Sequence, residues 1–182
     1  MQKLLALIEK HQSQHAEAVQ RFRSLITTHG EACLYRDCLP GHITGSALLI
    51  SNDGKRVLLN HHKFLNLWLG FGGHADGDAD IVAVCRRETE EESGLSDFEL
   101  LAAETLDIDI HPIPANDQKG EPPHDHYDIR TIFRLREGAS EESAISDESL
   151  ALRWASFDEA VELTSVDKSM QRMLQLWQKH CA

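Results

Sequence analysis

The sequence predicts an α/β protein, with a helical extension over residues 1–30 followed by a main domain over residues 31–182. Residues 2–28 carry apolar side chains at helical spacing and predict two helices with a polar break between them. Residues 43–50 and 56–60 are largely apolar runs on either side of an Asn-Asp-Gly turn, which is typical of a β-hairpin. Helical and strand patterns therefore occur in the same chain.

A further helix with clear start and stop signals covers residues 81–93. Asp80 or Asp78 can accept hydrogen bonds from its first free backbone N–H groups, and Gly94 suits the left-handed position that ends a helix. Apolar side chains recur three and four residues after Ile81, so one face of this helix can be buried.

The second half of the chain predicts more strands and two more helices. Residues 98–110 and 124–135 predict long strands, 116–123 a polar loop, 137–149 an acidic loop and 152–155 a short strand. Residues 157–163 and 167–180 have helical periodicity.

Composition limits the classes of partner. The chain has 182 residues and a formal net charge of −12, which argues against a broad nucleic-acid surface or an anionic-membrane surface. It does not exclude a nucleotide, because a bound metal ion can reverse the local charge. The four cysteines are irregularly spaced, so we expect reduced thiols. Without a signal-peptide pattern or a long apolar run, we expect a cytoplasmic protein.

Three carboxylates share one side of the helix over residues 81–93. Glu88, Glu91 and Glu92 stand at positions i, i+3 and i+4, where like charges repel by a few tenths of a kcal/mol per pair. The simplest interpretation is a solvated acidic face. The alternative is a site for Mg²⁺ or Mn²⁺, which prefer carboxylate oxygens and complete their coordination with water and phosphate.

Residues 73–95 resemble the Nudix box, G-x5-E-x7-R-E-U-x-E-E-x-G-U, in which U is aliphatic. The matching residues are Gly73, Arg87, Glu88, Glu91, Glu92, Gly94 and Leu95. Two positions depart from the pattern, because Thr89 replaces an aliphatic residue and Ala79 replaces the first glutamate. We hypothesise that Asp78 or Asp80 supplies the missing carboxylate. Trp68, which lies before the box, and His74, its second residue, add to the resemblance.

The resemblance implies a fold and a set of site residues. It implies a Nudix-type α/β/α sandwich with a mixed sheet, most specifically over residues 43–163. It implies Mg²⁺ (or Mn²⁺) on the three glutamates, lined by the backbone of Gly73 and its neighbours, with Arg87 orienting the glutamates. Glu148 would be a further metal ligand or the general base, although a solvated loop glutamate is the simpler interpretation.

Other polar residues are candidates for substrate binding. His124, His126 and Asp128 alternate along one face of a predicted strand and could contact substrate, bind a second metal, or form an ordinary polar sheet face. His111 could join them, His74 is a further candidate for contact with substrate, and Lys63 could meet a phosphate or be solvated. The three histidines at positions 11, 15 and 29 are expected at the surface.

The function that these features imply is metal-dependent hydrolysis of a diphosphate linkage in a nucleoside diphosphate joined to another group, for example ADP-ribose or a nucleotide sugar. The main alternative is a non-catalytic Nudix domain that binds a nucleotide and regulates a partner. An isomerase acting on a prenyl diphosphate is a weaker alternative, because the box glutamates are present. We expect a small-molecule substrate and no nucleic-acid or membrane partner. The N-terminal helices could mediate a homodimer.

Overall fold

The computed structural model describes residues 1–101, 105–116 and 120–181. Its α-helices are α1 (Gln2–Glu9), α2 (Ala16–His29), α3 (Ile81–Ser93), α4 (Phe157–Leu163) and α5 (Lys168–Cys181), with a 3-10 helix at Gly30–Leu34. Its strands are β1 (Gly41–Ile50), β2 (Arg56–His62), β3 (Leu67–Leu69), β4 (Phe71–His74), β5 (Phe98–Leu100), β6 (Asp107–Ile113), β7 (His124–Leu135) and β8 (Ser149–Ser156).

The eight strands form one mixed sheet with β1 and β7 at its centre. These two strands run parallel over ten residue pairs, from Gly41 with Asp125 to Ile50 with Arg134. On its other side β1 pairs with β4 near its start and with β2 near its end, both antiparallel. Strands β3 and β8 extend the sheet from β2, while β5 and β6 both pair with β7. The predicted hairpin is therefore confirmed as β1–β2.

Helices pack against both faces of the sheet, as the α/β/α prediction required. Alternate side chains of β1, such as Ile43 and Ala47, join the core formed with α1, α2 and α3. Those between them, such as Leu48 and Ile50, join the core formed with α4 and α5. The period-2 alternation of a strand thus divides β1 between two hydrophobic layers.

The long strand predicted over residues 98–110 is wrong, because the structure has two strands there. Leu100 pairs with Phe133 and Asp107 pairs with Arg130, so seven residues of this segment advance along only three residues of β7. An antiparallel ladder advances equally on both strands, so the pairing must break between them. Residues 102–104 lie outside the described residues, as do residues 117–119 of the predicted polar loop.

The N-terminal helices contribute to the main core. Two helices with a break before residue 16 are confirmed, and Leu4 and Phe22 are fully buried in the same layer as Ile81. The surface prediction for His11 is wrong. Its side chain is buried, with Nε2 2.9 Å from Thr105 Oγ1, because the fold brings a distant segment over it.

None of the helices in the described part of the chain combines the length and the apolar composition that crossing a bilayer requires. The four cysteines are unpaired, and Cys33, Cys38 and Cys85 are buried.

Candidate active site

Helix α3 is held in place by its caps and by close packing on the sheet. Asp80 accepts a hydrogen bond from Ala83 N at 3.3 Å, and Gly94 ends the helix with a φ of 71°. A side chain at Gly45 of β1 would come within 2.8 Å of Cys85 Sγ, so this glycine allows the helix to lie close against the strand. The polar face of α3 is thereby fixed beside β4.

The three box glutamates have different surroundings. Glu92 is only 8% exposed, and its two carboxylate oxygens accept hydrogen bonds from Gly72 N at 3.1 Å and Asn60 Nδ2 at 2.7 Å. Glu88 is half-buried, and its carboxyl group lies so close to Gly73 that any side chain there would overlap it. Glu91 is exposed. The helix therefore presents two enclosed carboxylates and one at the surface.

Burial makes negative charge unfavourable at this site. It raises the pKa of Glu92 to about 7, against the hydrogen bonds from Gly72 and Asn60. It also raises the pKa of Glu88, although the neighbouring Arg87 opposes that shift. A divalent cation would offset both effects, since it favours the ionised carboxylates. The donors are hard oxygens, so the residues present fit Mg²⁺ or Mn²⁺.

Arg87 connects the helix to β4. One of its guanidinium nitrogens donates to Glu88 Oε1 at 2.9 Å and to the carbonyl oxygen of His74 at 3.3 Å. The position of the missing first glutamate, Ala79, is partly buried against the core. Arg87 thus orients Glu88 without a carboxylate from position 79.

The hypothesis that Asp78 or Asp80 replaces that carboxylate has no support in the described hydrogen bonds. Asp78 accepts from Asp80 N at 2.8 Å, and Asp80 caps the helix, so both act locally. The second departure from the box has a simple role, because the buried Thr89 donates to the carbonyl oxygen of Cys85 at 2.7 Å.

The loop before β8 reaches the same region. The backbone N–H of Lys63 donates to the carbonyl oxygen of Glu148 at 2.8 Å, which ties this loop to the end of β2. Both side chains are exposed. The charge of Glu148 is among the causes that raise the pKa of Glu92, so the structure brings Glu148 toward the box helix.

The histidines predicted for substrate binding form one cluster. His74 lies on β4, His111 on β6, and His124 and His126 on β7. The His126 ring centroid is 5.1 Å from that of His74, 5.5 Å from that of His111 and 5.3 Å from that of His124. Burial, followed by the neighbouring rings, lowers the pKa of His126 to about 2.

Sequence reasoning missed a fifth member of this cluster, His42 on β1. It pairs directly with His126 across the parallel ladder, and its ring lies within 5.1 Å of three other histidine rings. The only signal in the sequence is that His42 shares strand alternation with the polar Thr44 and Ser46. That signal does not reveal which strand lies beside it.

Asp128 is near these histidines in sequence but belongs to a different set of contacts. It is buried, and its carboxylate accepts from Thr44 Oγ1 at 3.0 Å, from Ser46 Oγ at 2.8 Å and from Arg130 Nε at 2.8 Å. The structure therefore places its charge in an ion-pair network with Arg130, on the same face of β7 as His124 and His126.

That network was also missed. Arg130 is buried and contacts three carboxylates, those of Asp107, Asp109 and Asp128. Arg172 of α5 contacts Asp107 and Asp109 at 2.8 Å. Burial alone would raise the pKa of Asp109, but His111 and the two arginines hold it well below its usual range. The network joins β6, β7 and α5, and it reaches the histidines through His111 and Asp109.

Comparisons with known proteins agree with this architecture. A family model described as NUDIX domain matches residues 41–177. A comparison with curated proteins found no match to the chain.

Among solved structures, a C. elegans Ap4A hydrolase has a TM-score of 0.59 at 16% identity, covering 75% of this chain and 95% of its own. The E. coli dihydroneopterin triphosphate pyrophosphohydrolase has a TM-score of 0.54 at 16% identity, covering 75% and 92%. The NUDIX domain of Shewanella oneidensis NrtR, solved with ADP ribose, has a TM-score of 0.50 at 15% identity, covering 77% and 88%.

At these identities the solved structures establish the fold, while the family model covers most of the chain and includes the helix whose glutamates form the site. The chain therefore belongs to the Nudix hydrolase superfamily, as residues 73–95 predicted.

Proposed function

We propose that this protein is a metal-dependent hydrolase that cleaves a diphosphate linkage in a nucleoside diphosphate joined to another group. The observation that carries the proposal is the pair of enclosed carboxylates, Glu88 and Glu92, held by Arg87, Asn60 and the backbone of Gly72. Their anionic forms are disfavoured by burial until a cation shares the site. The same arrangement suits a pyrophosphate. Its oxygens and these carboxylates are all negatively charged, so a cation between them stabilises both groups.

Glu88, Glu91 and Glu92 would hold Mg²⁺ or Mn²⁺ beside the backbone of Gly73. When bound, such an ion neutralises phosphate oxygens and makes a coordinated water more acidic. Arg87 keeps the Glu88 carboxylate facing β4, and the two hydrogen bonds to Glu92 prevent it from turning toward solvent. These residues thus act by holding charge in a fixed position, which is the chief requirement of phosphoryl-group chemistry.

Proton acceptance from the attacking water is assigned to Glu148. Its carboxylate is exposed on a loop tied to the end of β2, and its charge contributes to the raised pKa of Glu92. A carboxylate on a loop can approach a bound substrate without breaking the hydrogen bonds that hold Glu92. We assign contact with a substrate phosphate to Lys63, whose backbone is joined to the same loop.

The substrate class follows from the chemistry of the site and from the names of similar proteins. Ap4A, dihydroneopterin triphosphate and ADP ribose, named for the three solved structures, all contain phosphoanhydride bonds. We assign contacts with the rest of the substrate to the surface made by His74, His111, His124 and His126. Asp128 would support this surface through β7, the strand that it shares with two of these histidines.

A second candidate is a nucleotide-binding domain without turnover. Ala79 favours it, because the Nudix pattern has a glutamate there and no neighbouring aspartate is hydrogen-bonded to Arg87 among the described residues. One of the similar structures is a domain complexed with ADP ribose. The enclosed Glu88 and Glu92 favour the hydrolase.

The experiment is a panel of nucleoside diphosphate derivatives and dinucleoside polyphosphates at mildly alkaline pH, with Mg²⁺ and then Mn²⁺, and products identified by mass. Glu92→Gln removes an enclosed carboxylate with little change in shape, and Glu90→Gln changes a glutamate of the same helix outside the site. We expect turnover of at least one compound by the wild type and Glu90→Gln, and loss of about 100-fold or more in Glu92→Gln. Equal turnover by both variants would refute the assignment, and metal-dependent binding without turnover would favour the second candidate.

A further inference from the structure

Five histidines from four strands converge on one side of the sheet, next to the glutamate site but separate from it. Within this cluster, His42, His124 and His126 can each offer a ring nitrogen, and those three nitrogens all lie within 4.8 Å of one another. The bond cleavage itself uses none of these imidazoles, and contact with a substrate does not require three of their nitrogens to converge on one point. The arrangement therefore calls for an explanation of its own.

His42 is the least expected member. Its side chain is only 1% exposed, and neither ring nitrogen makes a hydrogen bond of normal geometry among the described residues, although the backbone of Cys38 lies near enough to oppose the lowering of its pKa. A buried polar group without a partner costs about 1–3 kcal/mol. An apolar residue at this position would avoid that cost, so the imidazole is best explained by a ligand that binds it.

His124 is already oriented as a ligand. Its Nδ1 lies 2.8 Å from the carbonyl oxygen of Pro122, and only a protonated Nδ1 can donate that hydrogen bond. The proton then resides on Nδ1, and the lone pair of Nε2 is available. A backbone carbonyl that fixes the tautomer in this way is the usual outer contact of a metal-bound histidine.

The positive charge that faces the cluster is partly neutralised. Arg36, the cation that faces His42 and His74, is held in two hydrogen bonds by Asp76 at 3.0 and 2.9 Å. On the other side, His111 contacts the carboxylate of Asp109. An anion would instead require protonated rings, which burial and the close packing of several imidazoles disfavour.

We propose that His42, His124 and His126 form a second metal site, which binds a first-row transition-metal ion of the Zn²⁺ class. Imidazole nitrogen suits Zn²⁺, Co²⁺, Ni²⁺ and Cu²⁺, whereas the carboxylates of α3 suit Mg²⁺ and Mn²⁺. Three histidines leave a coordination position for water or a substrate oxygen. Bonds of about 2.05 Å place tetrahedral ligands roughly 3.4 Å apart, so small rotations of the three rings close the site.

The two sites are adjacent through β4. The carbonyl oxygen of His74 accepts from Arg87, and Gly73 beside it contacts Glu88. In β4 the Cα positions of Gly73 and His74 face opposite sides of the sheet, so the two sites flank the same strand. Metal binding at the histidines does not depend on hydrolysis, so failure of one proposal is distinguishable from failure of the other.

The test measures Zn²⁺ affinity of the full chain after dialysis against a chelator, by competition with a coloured chelator, and the visible absorption of the Co²⁺ form. We compare the wild type with His124→Gln and His126→Gln. His180→Gln, at an exposed histidine, is the matched control, and Glu92→Gln is the control for the glutamate site. We expect the wild type and both controls to bind one equivalent of Zn²⁺ tightly. The Zn²⁺ affinity of the two cluster variants should be at least about 100-fold weaker.

Tight binding that survives in both cluster variants, or that disappears in Glu92→Gln, would overturn the proposal, as would the absence of tight binding to the wild type. Because a cluster variant could fail to fold, X-ray absorption at the zinc edge of the wild-type protein gives an independent answer. Scattering from three imidazoles supports the site, and a shell of oxygen ligands overturns it.

Discussion

Replacing Glu92 by glutamine should make the metal-free protein more stable while it removes activity. Glu92 is buried, and burial raises its pKa from 4.5 to about 7 in the folded protein. At pH values between the unfolded-state and folded-state pKa of Glu92, the folded state binds more protons than the unfolded state. The free energy of unfolding therefore falls as pH rises through this range. Above pH 7 the full cost of the buried charge is present.

The magnitude follows from that shift. Each unit of pKa difference corresponds to about 1.4 kcal/mol, so the buried charge costs about 3 kcal/mol at pH 8. For a chain of this size, that corresponds to roughly 6–12 °C in melting temperature. Glutamine removes the charge and keeps an oxygen that can accept from Gly72 N. Its amide can donate to Asn60 Oδ1, which is buried and has no partner among the described residues, if the Asn60 amide turns over.

The assay is thermal unfolding of the metal-free wild type, Glu92→Gln and Glu90→Gln at several values between pH 5 and pH 8. Glu90 lies on the same helix, and its side chain forms a partly exposed ion pair with Arg86. Its variant therefore controls for the loss of a helix glutamate. The difference in melting temperature between Glu92→Gln and wild type should be small at pH 5 and reach several degrees at pH 8. Added Mg²⁺ should stabilise the wild type more than Glu92→Gln, since ligand binding to the folded state raises its stability.

A difference that stays constant with pH, or that shows Glu92→Gln less stable at pH 8, would refute the argument. It would mean that the hydrogen bonds from Asn60 and Gly72 outweigh the cost of burying the charge.

Three other substitutions test separate parts of the structure. Gly73→Ala should lower activity at least about 10-fold and weaken Mg²⁺ binding with little loss of fold, measured by kinetics and circular dichroism, because the new methyl group displaces the Glu88 carboxyl. Arg130→Met should destabilise the protein by about 3–5 kcal/mol in urea unfolding, because it leaves three buried or half-buried carboxylates with one cation fewer. Phe22→Ala should cost about 3–5 kcal/mol in the same assay, because α2 belongs to the main core; a cost below 1 kcal/mol would mean that the N-terminal helices are dispensable.

Much of the fold was predictable because its signals are local. Helix α3 has its cap at Asp80, one of the two candidates that the sequence offered, and its end at Gly94 as predicted, and the hairpin follows its Asn-Asp-Gly turn. The segment from Phe98 to Ile110 was not predictable, because its apolar alternation continues across the point where its pairing with β7 breaks. Alternation reports which side chains face inward, and it does not report the register of a partner strand.

The sequence by itself determined that three glutamates share one face of a capped helix, and that this helix belongs to a Nudix box. Only the tertiary structure decided that Glu92 is buried while Glu91, one residue before it, is exposed, since burial depends on β2 and β4 packing over the helix. Only the tertiary structure joined His42 to His126, which the parallel pairing of β1 with β7 places side by side from positions 84 residues apart. Helix geometry is set by neighbours along the chain, whereas strand pairing and burial are set by contacts between segments far apart in sequence.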